Sequence, residues 1–131
     1  MTSLGSLLAA AALLLSPTPD LGTSNAWCRS LPQRVGQCRE VHGRLTAYNG
    51  TPTFRIWILG THRLLGVVGR SGHDLENEAN LPANVGAAFE QNAFGTAVFA
   101  DFRVCPVTRE RRGVMQFVCV ARAANLYVRR S

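Results

Sequence analysis

The sequence predicts a small, mainly β domain with one short helix. Residues 41–68, VHGRLTAYNGTPTFRIWILGTHRLLGVV, alternate aliphatic side chains with charged or aromatic ones and contain two turn signals. Residues 95–104 and 114–122 are dense in Val and Phe, as buried strands are. Between these blocks stands one stretch with helical spacing, residues 81–91.

The first 26 residues read as a cleaved secretory leader rather than part of the fold. Leu4 to Leu15 is an uncharged Leu/Ala run of about 12 residues, the length of a leader core and short of the ~20 that span a bilayer. No Lys or Arg precedes it, so only the amino terminus supplies positive charge, and a retained membrane anchor is the alternative. Ser24-Asn25-Ala26 offers small residues for a cut after Ala26, leaving Trp27 first in a secreted or periplasmic chain with no membrane span. Trp27 is too bulky for lipoprotein processing at Cys28.

Residues 27–131 make one domain, large enough for one core but with thin stability. All four cysteines, Cys28, Cys38, Cys105 and Cys119, lie in it. An even set in an oxidising compartment reads as two disulfides. Cys105 and Cys119 flank a hairpin with its turn at Thr108–Gly113, which favours Cys105–Cys119 and, by elimination, Cys28–Cys38. Cys38–Cys105 is the competing pairing. No CxxC occurs and the histidines stand apart, against a zinc site.

Trp27 to Gln37 has no period and contains Pro32 and Gly36, a loop. The first strand, Arg39 to Tyr48, places Val41, Gly43, Leu45 and Ala47 on one face and His42, Arg44, Thr46 and Tyr48 on the other. Asn49-Gly50-Thr51-Pro52 is a turn, since Asn-Gly tolerates positive φ. Asn49-Gly50-Thr51 also matches a glycosylation sequon, read as coincidence. The second strand, Thr53 to Leu59, separates Phe54, Ile56 and Ile58 from Arg55 and Trp57. Gly60-Thr61 turns into the third, His62 to Val68. Gly69 to Ala79 is a polar loop. Asn80 is positioned to cap a helix over Leu81–Gln91, with Pro82 in its first turn. The fourth strand covers Gly95 to Val104 and the fifth Val114 to Arg122. Asn125 to Ser131 adds a short edge strand.

Three strands, a helix and two strands is the element order of the oligonucleotide/oligosaccharide-binding (OB) fold, a small five-stranded barrel. An open β-sandwich of the same strands is the alternative. The strings VHGRLTAYNGTPTFRIWILGTHRLLGV and DFRVCPVTRERRGVMQFVCV resemble those of small secreted bacterial proteins with no assigned activity. That resemblance implies an exported, barrel-like chain and transfers no functional residue.

All 14 basic residues are arginine, against 8 acids. Codon bias in a GC-rich genome accounts for the missing lysine. The net charge of +6 is physical whatever its origin and favours polyanionic partners or a cell-envelope component. The candidate binding face is a basic-aromatic stripe of Arg44, Tyr48, Arg55, Trp57 and Arg63. Rings there can stack on bases or sugars while guanidinium groups pair with phosphates; an ordinary solvated face is the plainer account. His42, His62, His73 and Asp74 match no metal-ligand spacing, and no nucleophile, phosphate-loop or cofactor motif is present. Asp101 and Glu40 are the acids a phosphodiesterase would draw on, a thin set for catalysis. The expectation is a disulfide-stabilised binding protein without a cofactor. A structural or inhibitory module acting through a protein partner and a small hydrolase are the alternatives.

Overall fold

The computed structural model describes residues 22–69 and 80–131. His73 and Asp74, with all but Gly69 of the expected loop from Gly69 to Ala79, lie outside the described residues. Six strands form one mixed sheet: β1 (Thr23–Ser24), β2 (Arg39–Ala47), β3 (Phe54–Ile58), β4 (Leu64–Val67), β5 (Thr96–Pro106) and β6 (Gln116–Arg130). A short helix, α1 (Ala83–Phe89), lies between β4 and β5. The spatial order is β1-β6-β4-β3-β2-β5, and β5 also pairs with β6, so five strands close a ring of pairings. Only β4 and β6 run parallel.

The ring follows from the alternation along each strand. Leu45 of β2, Ile56 of β3, Leu65 of β4, Phe102 of β5 and Val120 of β6 point inward and are fully buried in one core. A Cβ at Gly43 would lie 2.4 Å from Ile56 Cγ2, so the missing side chain is what lets β2 and β3 close up. Helix α1 turns Val85, Ala88 and Phe89 to this core, and Phe89 meets Phe54 edge-on with ring centroids 4.9 Å apart.

Several expectations need correction. The helix is shorter than Leu81–Gln91, and Asn80 does not cap it. Pro82 holds the N-cap position with extended backbone, and the Asn80 N–H donates to the Val68 carbonyl instead. Proline suits a helix start because its absent N–H would have no partner there. The Asn49-Gly50 turn is not a two-residue reversal with positive φ at both positions. Asn49 is not among the positive-φ residues, and the loop closes with Tyr48 N–H donating to Thr53 O across a cis Thr51–Pro52 peptide.

The last strand does not stop at Arg122 with a separate edge strand beyond. It runs unbroken to Arg130, pairing with β5 through two register shifts. Asn125, at φ 57, sits in the shift between the Phe99 and Asp101 pairings, and the one extra residue there breaks the two-residue period along the strand.

The favoured disulfide pairing is also overturned. The bonds are Cys28–Cys119 and Cys38–Cys105; the second is the pairing held as the competitor. Cys105 and Cys119 do face each other as partners on β5 and β6. Both point out of the ring, where the N-terminal segment crosses them, and each bonds to that segment rather than to its neighbour. With Leu31, Val68, Val107 and Ala121 they form a second small core, against which Trp27 and Phe117 pack. Thr23 and Ser24, assigned to the leader by sequence, pair with Ala123 and Arg122, and the Asn25 N–H donates to Ala121 O at 2.6 Å. This pairing supplies the sixth strand. Two disulfides point to an oxidising, non-cytoplasmic location. Among the described residues no helix is long and apolar enough to cross a membrane.

Candidate functional site

The outward side chains of β2 are Glu40, His42, Arg44 and Thr46, the complement of its core residues. Register sets what flanks them. Arg44 is partnered by Trp57 on β3 and by Phe99 on β5, and Phe99 by Tyr127 on β6. One row therefore crosses four strands as Trp57, Arg44, Phe99 and Tyr127, with a strand step of about 4.8 Å. The Phe99 and Tyr127 rings stand with centroids 6.0 Å apart and planes tilted by 56°. The Arg129 guanidinium lies 5.6 Å from the Phe99 ring centre.

Toward the end of these strands the row opens into a depression of about 420 Å³, bounded by Arg44, Tyr48, Phe94, Arg129 and Arg130. Among the described residues no Asp or Glu side chain lines it. Among the described residues the ion pairs are His42–Asp101, Arg63–Glu110 and Arg122–Glu40, so none neutralises the arginines of this depression. The Arg44 Nε is enclosed by protein and has no hydrogen-bond partner. Arg130 is partly engaged: its Nη2 donates to the Ala88 carbonyl at the end of α1, 2.9 Å away.

Of the five stripe residues, four come onto one outer face and one does not. Arg44 and Trp57 are direct cross-strand partners, and the Arg55 guanidinium packs over the Tyr48 ring at 4.4 Å. Arg63 lies at the opposite end of the ring, paired with Glu110 at 3.0 Å and donating to Gln116 Oε1 at 3.2 Å. It borders a different depression, with His62, Arg111 and Arg112, that contains an acid and, among the described residues, no Phe, Tyr or Trp. Two of the remaining four spend donors on their own loops. Arg55 Nε donates to Pro52 O at 3.0 Å and Trp57 Nε1 to Thr61 O at 2.7 Å. The centre of the basic-aromatic surface thus shifts from β3 and β4 toward β5 and β6.

Phe94, Phe99, Tyr127 and Arg129 were not among the candidate residues. Phe99 reads as core in an apolar strand, yet strict alternation from Val98 through Ala100 and Phe102 to Val104 leaves Ala97, Phe99, Asp101 and Arg103 facing out. That signal was available. Tyr127 and Arg129 acquire neighbours only because β6 continues past its irregularities.

One outward step along β2 from Arg44, His42 Nδ1 lies 2.8 Å from Asp101 Oδ1. Asn125 Nδ2 donates to the other carboxylate oxygen at 2.9 Å. The Asn125 bond first, then the His42 bond, hold the Asp101 carboxyl below the usual carboxylate range, and slight burial opposes them. Glu40 pairs with Arg122 at 2.8 Å. The two acids considered for a phosphodiesterase are therefore each held by separate partners. Among the described residues, no group of three or more His, Cys, Asp or Glu is placed to hold a metal ion.

Comparison with protein-family models, curated protein sequences and solved structures finds no match to this chain.

Proposed function

We propose that this is an exported, disulfide-stabilised binding protein for an anionic polymer or cell-envelope component, built as an OB-like barrel. The observation that carries the binding reading is the depression at the β2, β5 and β6 end, where Arg44 and Arg129 stand beside Tyr48 and the exposed Phe94 ring and no Asp or Glu side chain among the described residues lines it. An unopposed guanidinium cluster raises the local concentration of anions. The barrel reading draws support from the pairing order. Counted from β2, the ring runs first, second, third, fifth, fourth and back to first, with the third and fifth strands parallel and the helix between third and fourth. Export draws on the apolar run at residues 4–15, the two disulfides and the resemblance to small secreted proteins.

The test is a salt titration of polyanion binding by the oxidised protein. Binding should weaken steeply with salt and fall in Arg44→Ala and Arg129→Ala. Arg63→Ala should change it little, because that side chain is already paired with Glu110. Salt-independent binding, or equal loss in all three variants, would remove the assignment to this face. A second reading, a module that docks a protein partner, rests on Trp57, which is 38% exposed at the β3 end of the row. Capture of a defined envelope protein that is lost with Trp57→Ala would favour it.

A further inference from the structure

Resting on that binding reading, we infer that the polymer is a single-stranded polynucleotide, held across β2, β5 and β6 rather than on the β3–β4 side. Three features, of the depression and of the row that runs into it, converge on this class. First, the depression is cationic by guanidinium groups that no Asp or Glu side chain among the described residues neutralises, so the ligand carries repeated negative charge. Second, its rings are unusually open: Phe94 is 69% and Tyr127 63% exposed, beside Phe99 and its Arg129 neighbour. A phenyl ring offers a hydroxyl-rich sugar no hydrogen bond, whereas the flat face of a base stacks on any ring. Third, among the described residues no Asp, Glu, Asn or Gln side chain lines the depression. Glycan hydroxyls call for such acceptors; phosphodiesters do not.

The other basic surfaces lack this combination. Among the described residues, the depression beside Arg63 holds Glu110 and no Phe, Tyr or Trp, and the one flanked by Arg29, Arg34, Arg103 and Arg122 contains no aromatic side chain. On the proposed face phosphates would lie against Arg44 and Arg129, and bases against Phe94 and Tyr127. A duplex hides its base faces, so it could use only the arginines.

The experiment measures binding of the oxidised protein to a short oligothymidylate, the matching duplex, polyglutamate, a sulfated glycan and phosphatidylglycerol vesicles. The single strand should bind tightest. Phe94→Ala and Tyr127→Ala should each weaken it by about 5- to 100-fold at unchanged salt slope. Tyr127→Phe, which keeps the ring, should restore affinity. Arg129→Ala should instead lower the salt slope by about 0.7, one phosphate contact. Both rings are exposed, so their removal leaves the core intact, and unchanged near-UV circular dichroism would verify that. If polyglutamate, glycan, duplex or vesicles bind as well as the single strand and the ring variants have no effect, the polynucleotide inference is overturned while polyanion binding stands. If no polyanion binds, both are overturned.

Discussion

His42 Nδ1 and Asp101 Oδ1 lie 2.8 Å apart, tying the outer face of β2 to that of β5 beside the Arg44 row. Asp101 is also held by Asn125, and its carboxyl is depressed below the ordinary range. The sign of the linkage follows. A lowered folded-state value stabilises the fold fully above the ordinary carboxylate value of about 3.9, and that contribution is lost as pH falls through the folded value. Asp101→Asn should therefore be less stable than the parent near about pH 6, with the deficit shrinking below about pH 4. Urea unfolding at stepped pH measures this, and a deficit that persists unchanged into strong acid contradicts it.

The disulfide connectivity makes a sharp prediction for digestion. Arginines at 29, 34, 39, 103, 109, 112 and 122 separate all four cysteines into different tryptic peptides. Under non-reducing conditions the Cys28 peptide should run with that of Cys119, and the Cys38 peptide with that of Cys105. Changing Cys28 and Cys119 together to Ser should cost about 2–5 kcal/mol, since the bond closes a long loop. A Cys105–Cys119 peptide in the native digest would contradict the structure.

At Gly43 the structure leaves no room for a methyl group. Gly43→Ala would drive a Cβ into Ile56 and the Trp57 carbonyl, at 2.4 and 3.1 Å. Overpacking at such a site costs about 1–3 kcal/mol. A matching fall in the urea midpoint at unchanged slope is the expected result.

Trp57 has a structural duty apart from any ligand. Its indole N–H donates to Thr61 O, and the Thr61 hydroxyl donates to Ile58 O, bracing the turn between β3 and β4. Trp57→Phe should lose about 0.5–1.5 kcal/mol of stability through the missing donor. It should keep most of any stacking on the face. Equilibrium unfolding and oligothymidylate titration, run on the same preparation, separate the two roles.

The local patterns were legible where neighbours in sequence are neighbours in space. The two-residue period of Val41, Gly43 and Leu45, answered by Phe54, Ile56 and Ile58, announced two paired strands and their inner faces. Asn80 misled because its cap signal competes with Pro82, whose fixed backbone sets the helix start. The site was harder to read. Arg44 and Trp57 belong to one hairpin, and the stripe found them. Phe99 and Tyr127 reach the same row through pairings between distant strands, and the shifts at Asn125 hide the register even from a reader who expects those strands to meet. The cysteine pairing failed for a related reason: adjacency of Cys105 and Cys119 says nothing about a third segment lying across both.

That crossing segment also has a consequence for the order of events when the chain is made. A polypeptide that emerges amino end first exposes Cys28 and Cys38 together, long before residues 105 and 119 arrive. The first pair available to an oxidant is thus a wrong one, since the native partners of its members lie 91 and 67 residues downstream. Oxidation that outruns the arrival of β5 and β6 would trap the wrong bond. Should that bond form, thiol–disulfide exchange is the route from it to the native pair.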